Sequence, residues 1–419
     1  AAIERVRALR DAVAGVITPL GGSVIGLGAL SAAVGVGLAW READLIAVAC
    51  ALVLIIALGY LAGTAALTAE IEMTTNRVEA GHNARVAAGE LTWAPPARAF
   101  VTVRNTGMRS SRWLTMEIPL SWQGGERIAT VPIRIRPLGI GGEYRSEAFD
   151  LPTGRRGVID LGPATVVRTD PLGLLRRAVA WSTASEFVVH PRTVAVDQTG
   201  AGLLRDLEGQ TSNDLSMNDL AFHALREYEV GDSLRHVHAL TSARLGRLMV
   251  RQFLDTRAAH LTVIVSGVSA DYRDPAEDEF EAALSIGSSL AVRAIHDGQR
   301  VSIFAAGRGR PAPRLTHRLA LDGFSRARFG TPGSGLIQLA SHAIQVAPET
   351  SMAALITGAA TNIAQIRAAA ARFGPGVRVV AVQVDPRQEP AAQRAGRIRL
   401  LTVPELGDLR RAMQTAVYA

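Results

Sequence analysis

LTVIVSGVSADYRDPAEDEFEAALSIGSSLAVRAI occupies residues 261–295. Its first eight residues are apolar or small, the composition of a strand buried on both faces. Its last seventeen, EFEAALSIGSSLAVRAI, place apolar side chains three and four apart, which is the spacing of an amphipathic helix. The rest of the chain repeats the alternation. RVSIFAAG (300–307), SMAALITGAA (351–360) and VRVVAVQVD (377–385) read as strands. LIQLASHAI (336–344), IAQIRAAAARF (363–373) and ELGDLRRAMQTAVY (405–418) read as helices. Strand and helix in turn predict a doubly wound α/β sheet over residues 258–419, with any ligand at the carboxyl ends of the strands.

After the first of those strands comes an acidic run from Asp271 to Glu281. Several carboxylates in one loop suit a hard cation, which needs converging oxygen ligands. The same residues also fit helix capping. Asp274 stands as N-cap, Pro275 as first helical residue and Glu277 as third, and acids in a first turn complement the helix dipole. Capping is the preferred reading, so no metal ligand is assigned. Further on, six arginines between Arg308 and Arg328 face one acid, Asp322. They suggest either a surface drawn to acidic lipid headgroups or a solvated excursion rich in proline.

Upstream, short β-branched runs are separated by turn signals: AFVTVRN (99–105), WLTMEIPL (113–120), RIATVPIRI (127–135), GVIDLG (157–162), ATVVRT (164–169) and EFVVH (186–190). This punctuation predicts an antiparallel β-sandwich over 75–195. No cysteine pair supports an immunoglobulin domain, and no catalytic set is found there.

Nearer the start, Ala12–Trp40 and Leu45–Ala69 contain no charged side chain. Each exceeds the roughly 20 residues that a bilayer core requires, and a signal peptide would be one shorter run. Residues 12–69 are therefore expected to form two transmembrane helices joined by Arg41–Asp44, a multi-pass anchor in membrane lipid. Arg5, Arg7 and Arg10 precede the first span, and Arg77 and Arg85 follow the second, against Arg41 alone between them. That bias puts residues 1–11 and the soluble domains in the cytoplasm. Gly22/Gly26 and Gly59/Gly63 form GxxxG patterns, read as packing of the hairpin on itself, with a partner helix as the other use.

Composition excludes several chemistries. The 419-residue chain has net charge +7, yet it contains no lysine, so Schiff-base and P-loop lysine chemistry are impossible. Its one cysteine, Cys50, forms neither an internal disulfide nor a thiolate cluster. The arginine excess comes with no aromatic RNA platform and no zinc-finger spacing, so no nucleic-acid partner is expected.

Between the two soluble domains, residues 200–257 hold LREYEVGDSLRHVHALTSARLGRLMVRQF (225–253). His236 and His238 would share one face of a strand and, with His223 or Asp232, could bind a transition metal, but HxH is a weak signal. Ser233 and Ser242 lack the GxSxG setting of a hydrolase elbow. The economical reading has two strands, RHVHAL and RLMVRQF, joined by SARLG. Arg226, Arg235, Arg244 and Arg251 would then fork onto Glu227, Glu229, Asp232 and Asp255, clamping the domains together.

The same segment resembles the signature of the bacterial domain of unknown function 58 (DUF58) family, roughly LRxYxxGDxxRxIxWxxSARxGxLxVR. Leu225, Arg226, Tyr228, Gly231, Asp232, Arg235, Ser242, Ala243, Arg244 and Arg251 fall on it. Arg156-Gly157 and Asp170–Leu174 look like the family's RRG and DPFGL elements. The resemblance implies a membrane-anchored protein with a β-sandwich and a von Willebrand factor A-like domain. It implies an adaptor or scaffold without cofactor rather than an enzyme, working beside a MoxR-type AAA+ ATPase and in some cases a transglutaminase-like membrane protein. The chain departs from the pattern in three places. The signature tryptophan is Ala239, and the metal-ion-dependent adhesion motif DxSxS, which would begin at Ser266, reads Ser-Gly-Val-Ser-Ala. Thr357-Gly358 stands where an aspartate often follows the later strand. A metal-independent interaction surface is therefore expected. The alternatives are a metal-dependent enzyme at loop 271–281, or a structural partner of a transglutaminase-like protein.

Overall fold

The computed structural model describes residues 16–62, 66–123, 125–196, 221–229, 237–254, 259–273, 275–306, 308–310 and 315–418. The chain divides into two compact units, Ala1–His190 and Pro191–Ala419.

The first unit opens with α1 (Pro19–Leu38) and α2 (Arg41–Ala62). A 20-residue helix is about 30 Å long, the thickness of a bilayer core. Leu27, Leu30 and Val36 on α1 and Leu45, Val48, Leu52 and Ile55 on α2 are exposed, so both helices present apolar surface outward. By length and composition, both are able to cross a membrane. The link between them is shorter than the sequence suggests. Arg41–Asp44 is not a connector but the first turn of α2, where Glu42 and Asp44 meet the positive end of the helix dipole. Only Ala39 and Trp40 lie between the helices, with Ala39 in the left-handed region at φ 49°. The second span also ends earlier than expected. Leu67 and Ala69 belong to the first strand, because their backbone pairs with the strand at 98–105.

The glycine prediction needs correction. A Cβ on Gly22, Gly26 or Gly59 would meet open space, so these residues are not where the helices close on each other; Gly63 lies outside the described residues. The tight approaches are at Gly28, against Cys50, and at Gly35, against Asp44.

Among the described residues eleven strands follow: β1 (Leu67–Met73), β2 (Arg77–Glu79), β3 (Arg98–Asn105), β4 (Leu114–Trp122), β5 (Arg127–Ile135), β6 (Glu143–Arg145), β7 (Phe149–Asp150), β8 (Gly157–Leu161), β9 (Thr165–Thr169), β10 (Arg176–Ala180) and β11 (Ser185–His190), with a short helix α3 (His82–Ala87) after β2. One sheet runs β1-β3-β6 with β7 also on β3. The other runs β10-β9-β4-β8-β11-β2 with β5 also on β4. Alternate residues of β3 and β4 are buried, as the period of a strand requires. Val101 and Val103 share one core with Met116, Ile118, Ile159, Leu161, Phe187 and Val189, so both sheets feed the same interior.

Loop 170–175 ties this body to the hairpin. Buried Asp170 accepts the backbone N–H of Leu172 at 2.9 Å and of Leu175 at 2.6 Å, which closes the loop on itself. Thr18 caps α1 and donates its hydroxyl to the carbonyls of Gly173 and Leu174 at 2.6 and 2.9 Å. Leu174 and Leu175 are buried together with Ala57 and Leu61 of α2.

The second unit begins with β12 (Ala221–Glu227), α4 (Ala239–Leu245) and β13 (Met249–Leu254). It continues with β14 (His260–Val265), α5 (Ala276–His296), β15 (Arg300–Ala305), β16 (Arg308–Arg310), α6 (His317–Ser325), α7 (Leu336–Val346) and β17 (Met352–Gly358). Last come α8 (Ile363–Arg372), β18 (Arg378–Val384), β19 (Ala391–Ala395), β20 (Ile398–Val403) and α9 (Leu409–Tyr418). The large sheet has the order β16-β15-β14-β17-β18-β20-β19. Its five central strands are parallel and its two edges antiparallel. Phe280, Phe324 and Met413, from α5, α6 and α9, pack on one face with Val263. Leu339 and Ile366, from α7 and α8, pack on the other with Ile264. Helices therefore cover both faces, as the alternation at 261–418 predicts. The β19–β20 hairpin is not foreseen from the sequence. Residues 317–325 of the arginine-rich stretch form helix α6 rather than an excursion.

Candidate functional site at the switch point of the large sheet

Along the chain, β15 is laid on one side of β14 and β17 on the other. The crevice at the carboxyl ends of β14 and β17 is therefore the topological switch point, where doubly wound folds hold their ligands. Ser266 follows β14, Thr357 and Gly358 end β17, and Asp385 follows β18.

These residues are closed on one another. Ser266 donates its hydroxyl to Oδ2 of buried Asp271, which sits on a turn of 3-10 helix at 269–271. Tyr272 donates its phenol to the carbonyl of Ser266 at 2.6 Å and packs edge-on against Phe280, with centroids 5.6 Å apart. Buried Glu279, in the first turn of α5, accepts two backbone N–H groups on Oε2, from Arg273 at 3.0 Å and Ala359 at 3.2 Å. Gly358 fits only without a side chain, because a Cβ there would lie 2.6 Å from the Asp271 carbonyl and 2.9 Å from Glu279 Oε2. Thr357 and Thr361 share a hydroxyl hydrogen bond of 2.6 Å. Gln383 donates to the carbonyl of Thr361 at 2.9 Å. Asp385 is buried and accepts from Arg273 at 3.2 Å, from Gln388 at 2.6 Å and from the N–H of Arg387 at 3.1 Å.

Every carboxylate at this tip thus has donors on it: a hydroxyl, backbone amides, a guanidinium. A divalent cation would have to displace them and take oxygens that already hold protons in hydrogen bonds. Among the described residues, no three His, Cys, Asp or Glu side chains are grouped to hold a metal. Of the acidic run, Asp271 and Glu279 turn inward while Glu277 and Asp278 are exposed, so the run does not converge on one point. The capping prediction shifts as well. Pro275 is the residue before the helix rather than the first in it, and Asp274 lies outside the described residues.

The described parts of the signature segment form a two-stranded sheet with a short helix beside it. β12 pairs antiparallel with β13, placing Leu225 opposite Arg251 and Glu227 opposite Met249. SARL is part of helix α4 and not a link between strands. The helix ends at Gly246, in the left-handed region at φ 66°, and the chain turns directly into β13. Ser242 accepts the N–H of Met249 on its hydroxyl at 2.8 Å, and the N–H of His238 bonds to the Met249 carbonyl at 2.8 Å. Instead of standing on a strand as a metal ligand, His238 caps α4, its Nδ1 accepting the N–H of Thr241 at 3.2 Å. Tyr228 donates its backbone N–H to Leu248 at 2.9 Å. Arg226 donates to the carbonyl of Glu227 at 2.9 Å, and Arg247, which the sequence reading passed over, pairs with the Glu227 carboxylate at 3.4 Å. Arg244 is exposed in the last turn of α4. Gly231, Asp232, Arg235 and His236 lie outside the described residues, as do the side chains of His223 and Arg251. Residues 224–412 match the family model described as protein of unknown function DUF58.

The DUF58 match begins inside β12 and ends in α9, so it takes in most of the β12–β13 pair, the large sheet and the switch point. It supports the DUF58 family for this part of the chain. No curated protein matches the sequence. Among solved structures, the CARDB domain of a Pyrococcus furiosus protein in complex with di-metal ions is 17% identical, covering 30% of this chain and 88% of that one, with a TM-score of 0.20. The ApaA protein from Bordetella pertussis is 14% identical, covering 31% of this chain and 96% of that one, with a TM-score of 0.19. Likeness so slight carries no argument.

The residues that the sequence reading missed are Glu279, Gln383, Asp385 and Tyr272 as partners in one network. The available signal was position: Asp385 directly follows a strand run, where a doubly wound sheet gathers its polar side chains.

Proposed function

We propose that this chain is a membrane-anchored, non-enzymatic adaptor. The hairpin makes it a multi-pass membrane protein with its soluble units in the cytoplasm, in line with the arginines that flank the hairpin's open end. Unit one is a β-sandwich, and unit two is a von Willebrand factor A-like domain with a degenerate adhesion motif. That domain presents its switch-point face to a MoxR-type AAA+ ATPase during assembly or maturation of another complex.

One observation carries this reading: Asp271 is engaged by Ser266, Glu279 by two backbone amides, and Asp385 by Arg273, Gln388 and a backbone amide, which leaves the rim as a contact surface. Ser269 is exposed on that rim. The test is recovery of the tagged full chain from its own membranes, with ATP present, followed by mass spectrometry. An AAA+ ATPase is expected with the native chain and is lost with Ser269→Arg. Its absence from the native preparation overturns the reading. A stoichiometric divalent metal found by elemental analysis would favour metal-dependent chemistry instead.

A further inference from the structure

We propose that the end of unit one beside the hairpin is a lipid-seated collar, in which loops of the β-body rest in the headgroup layer of an anionic membrane. The proposal rests on the membrane-spanning reading of α1 and α2.

Three loops converge on the hairpin's open end. In loop 105–113, Thr106 donates its N–H to the carbonyl of Ala66 at 2.9 Å, just beyond α2. In the same loop, the Arg112 guanidinium lies over the ring of Tyr60, in the last turn of α2, 5.6 Å from its centroid. Loop 138–142 is bound to the first, since Asn105 donates to the carbonyls of Leu138 and Gly139 at 3.2 and 2.9 Å. Loop 170–175 holds the start of α1 through Thr18.

Each loop displays a large apolar side chain to the outside. Met108 is 91% exposed, Ile140 71%, Trp113 59% and Leu172 59%. Arg109, Arg112, Arg134 and Arg136 stand exposed among them, with no acid in 105–113 or 134–142. Arg134 stacks on Trp113, 5.0 Å from its centroid. Tryptophan with apolar neighbours prefers the membrane interface, and arginine there meets lipid phosphate while its stem stays among apolar groups.

Position selects lipid over another apolar partner. If α1 and α2 span a bilayer, Thr18, Tyr60 and Ala66 stand at or near headgroup level, and the loops bonded to them stand there too. Trp93 provides the internal contrast. It is 82% exposed but precedes β3, whose other end is Asn105. The eight residues of that strand set its two ends about 23 Å apart.

The experiment places single nitroxide labels on the full chain in a Cys50→Ala background, at Met108→Cys, Ile140→Cys, Trp93→Cys and Val48→Cys. The protein is reconstituted in phosphatidylcholine nanodiscs with and without phosphatidylglycerol. Collision with oxygen is compared with collision with a water-soluble nickel chelate. Labels at 108 and 140 should fall between the deep label at 48 and the aqueous label at 93. Phosphatidylglycerol should move them deeper, and Arg109→Gln with Arg112→Gln and Arg134→Gln should abolish that movement. If 108 and 140 are as aqueous as 93 while 48 is in lipid, the collar is overturned and the hairpin stands. If they are shielded from both reagents, a second protein surface covers them and the collar is again overturned. An aqueous label at 48 removes the membrane reading itself, and the collar with it.

Discussion

Glu279, in the first turn of α5, receives the backbone N–H of Ala359 at 3.2 Å from eighty residues further along the chain. The same oxygen receives Arg273. One buried carboxylate therefore stitches the loop after β14 to the loop after β17. Glu279→Ala removes the acceptor for two amides and should destabilise the second unit by about 3–6 kcal/mol, since bonds to charged groups contribute roughly 1.5–3 kcal/mol each. Glu279→Gln keeps one acceptor oxygen and should cost less. Denaturant titration of the full chain, with hydrogen exchange at Arg273 and Ala359, checks both.

Because the carboxylates of the tip already hold donors, divalent ions should have no purchase on the native fold. Magnesium and a chelator should both leave the thermal midpoint of the second unit unchanged. A ligand present at a hundred times its dissociation constant would raise stability by about 2.7 kcal/mol, which such a scan detects readily.

His260 gives the second unit an acid-sensitive point. It is buried at the start of β14, with Nε2 2.9 Å from Ser302 Oγ and Nδ1 3.3 Å from Glu349 Oε1. Burial lowers its pKa and Arg300 adds to that, against the upward pull of Glu349. The unfolded chain then binds the proton more readily than the folded one. Stability is fully present above the unfolded value of about 6.5, declines as pH falls below it, and levels off beneath the folded value. Denaturation midpoints compared at about pH 7.5 and pH 5.5, on either side of the ordinary imidazole value, should differ less in His260→Gln than in the native chain.

At the hairpin, Gly21 rests against the backbone of Leu174, where a Cβ would lie 2.9 Å from the carbonyl carbon and closer still to its oxygen. Gly21→Ala should loosen the contact between α1 and loop 170–175 at a cost of about 1–3 kcal/mol, the range for overpacking. Gly22→Ala faces open space and should be close to neutral. Limited proteolysis near Gly173 in detergent separates the two.

Much of this architecture is legible in the sequence because its periods are strong. The runs at 261–265 and 279–295 read as strand and helix on apolar spacing alone, and the hairpin reads from two stretches without charge. What escaped depends on partners distant in sequence. Leu67–Ala69 continues the uncharged run of α2, and pairing with β3 makes it the start of a strand. AAQRAGRIRL has too much alanine and arginine to announce a hairpin, yet β18 offers it a parallel edge. At the tip, the switch point follows from the order of elements, but the engagement of Asp271 and Glu279 does not. For Glu279 it requires Ala359, eighty residues further on, to come within 3.2 Å, and nothing local encodes that meeting. Ser242 misled in the opposite sense, since a serine and a glycine close together resemble a turn although the serine lies within a helix.

The two-residue bend at Ala39 and Trp40 carries a consequence for what this protein can sense. With α1 and α2 embedded as proposed, the turn that joins them puts almost no polypeptide on the far side of the lipid, too little to form a receptor surface. This hairpin therefore offers that compartment no binding loop, and a signal passing through α1 and α2 would come from the bilayer itself or from the helix of another protein.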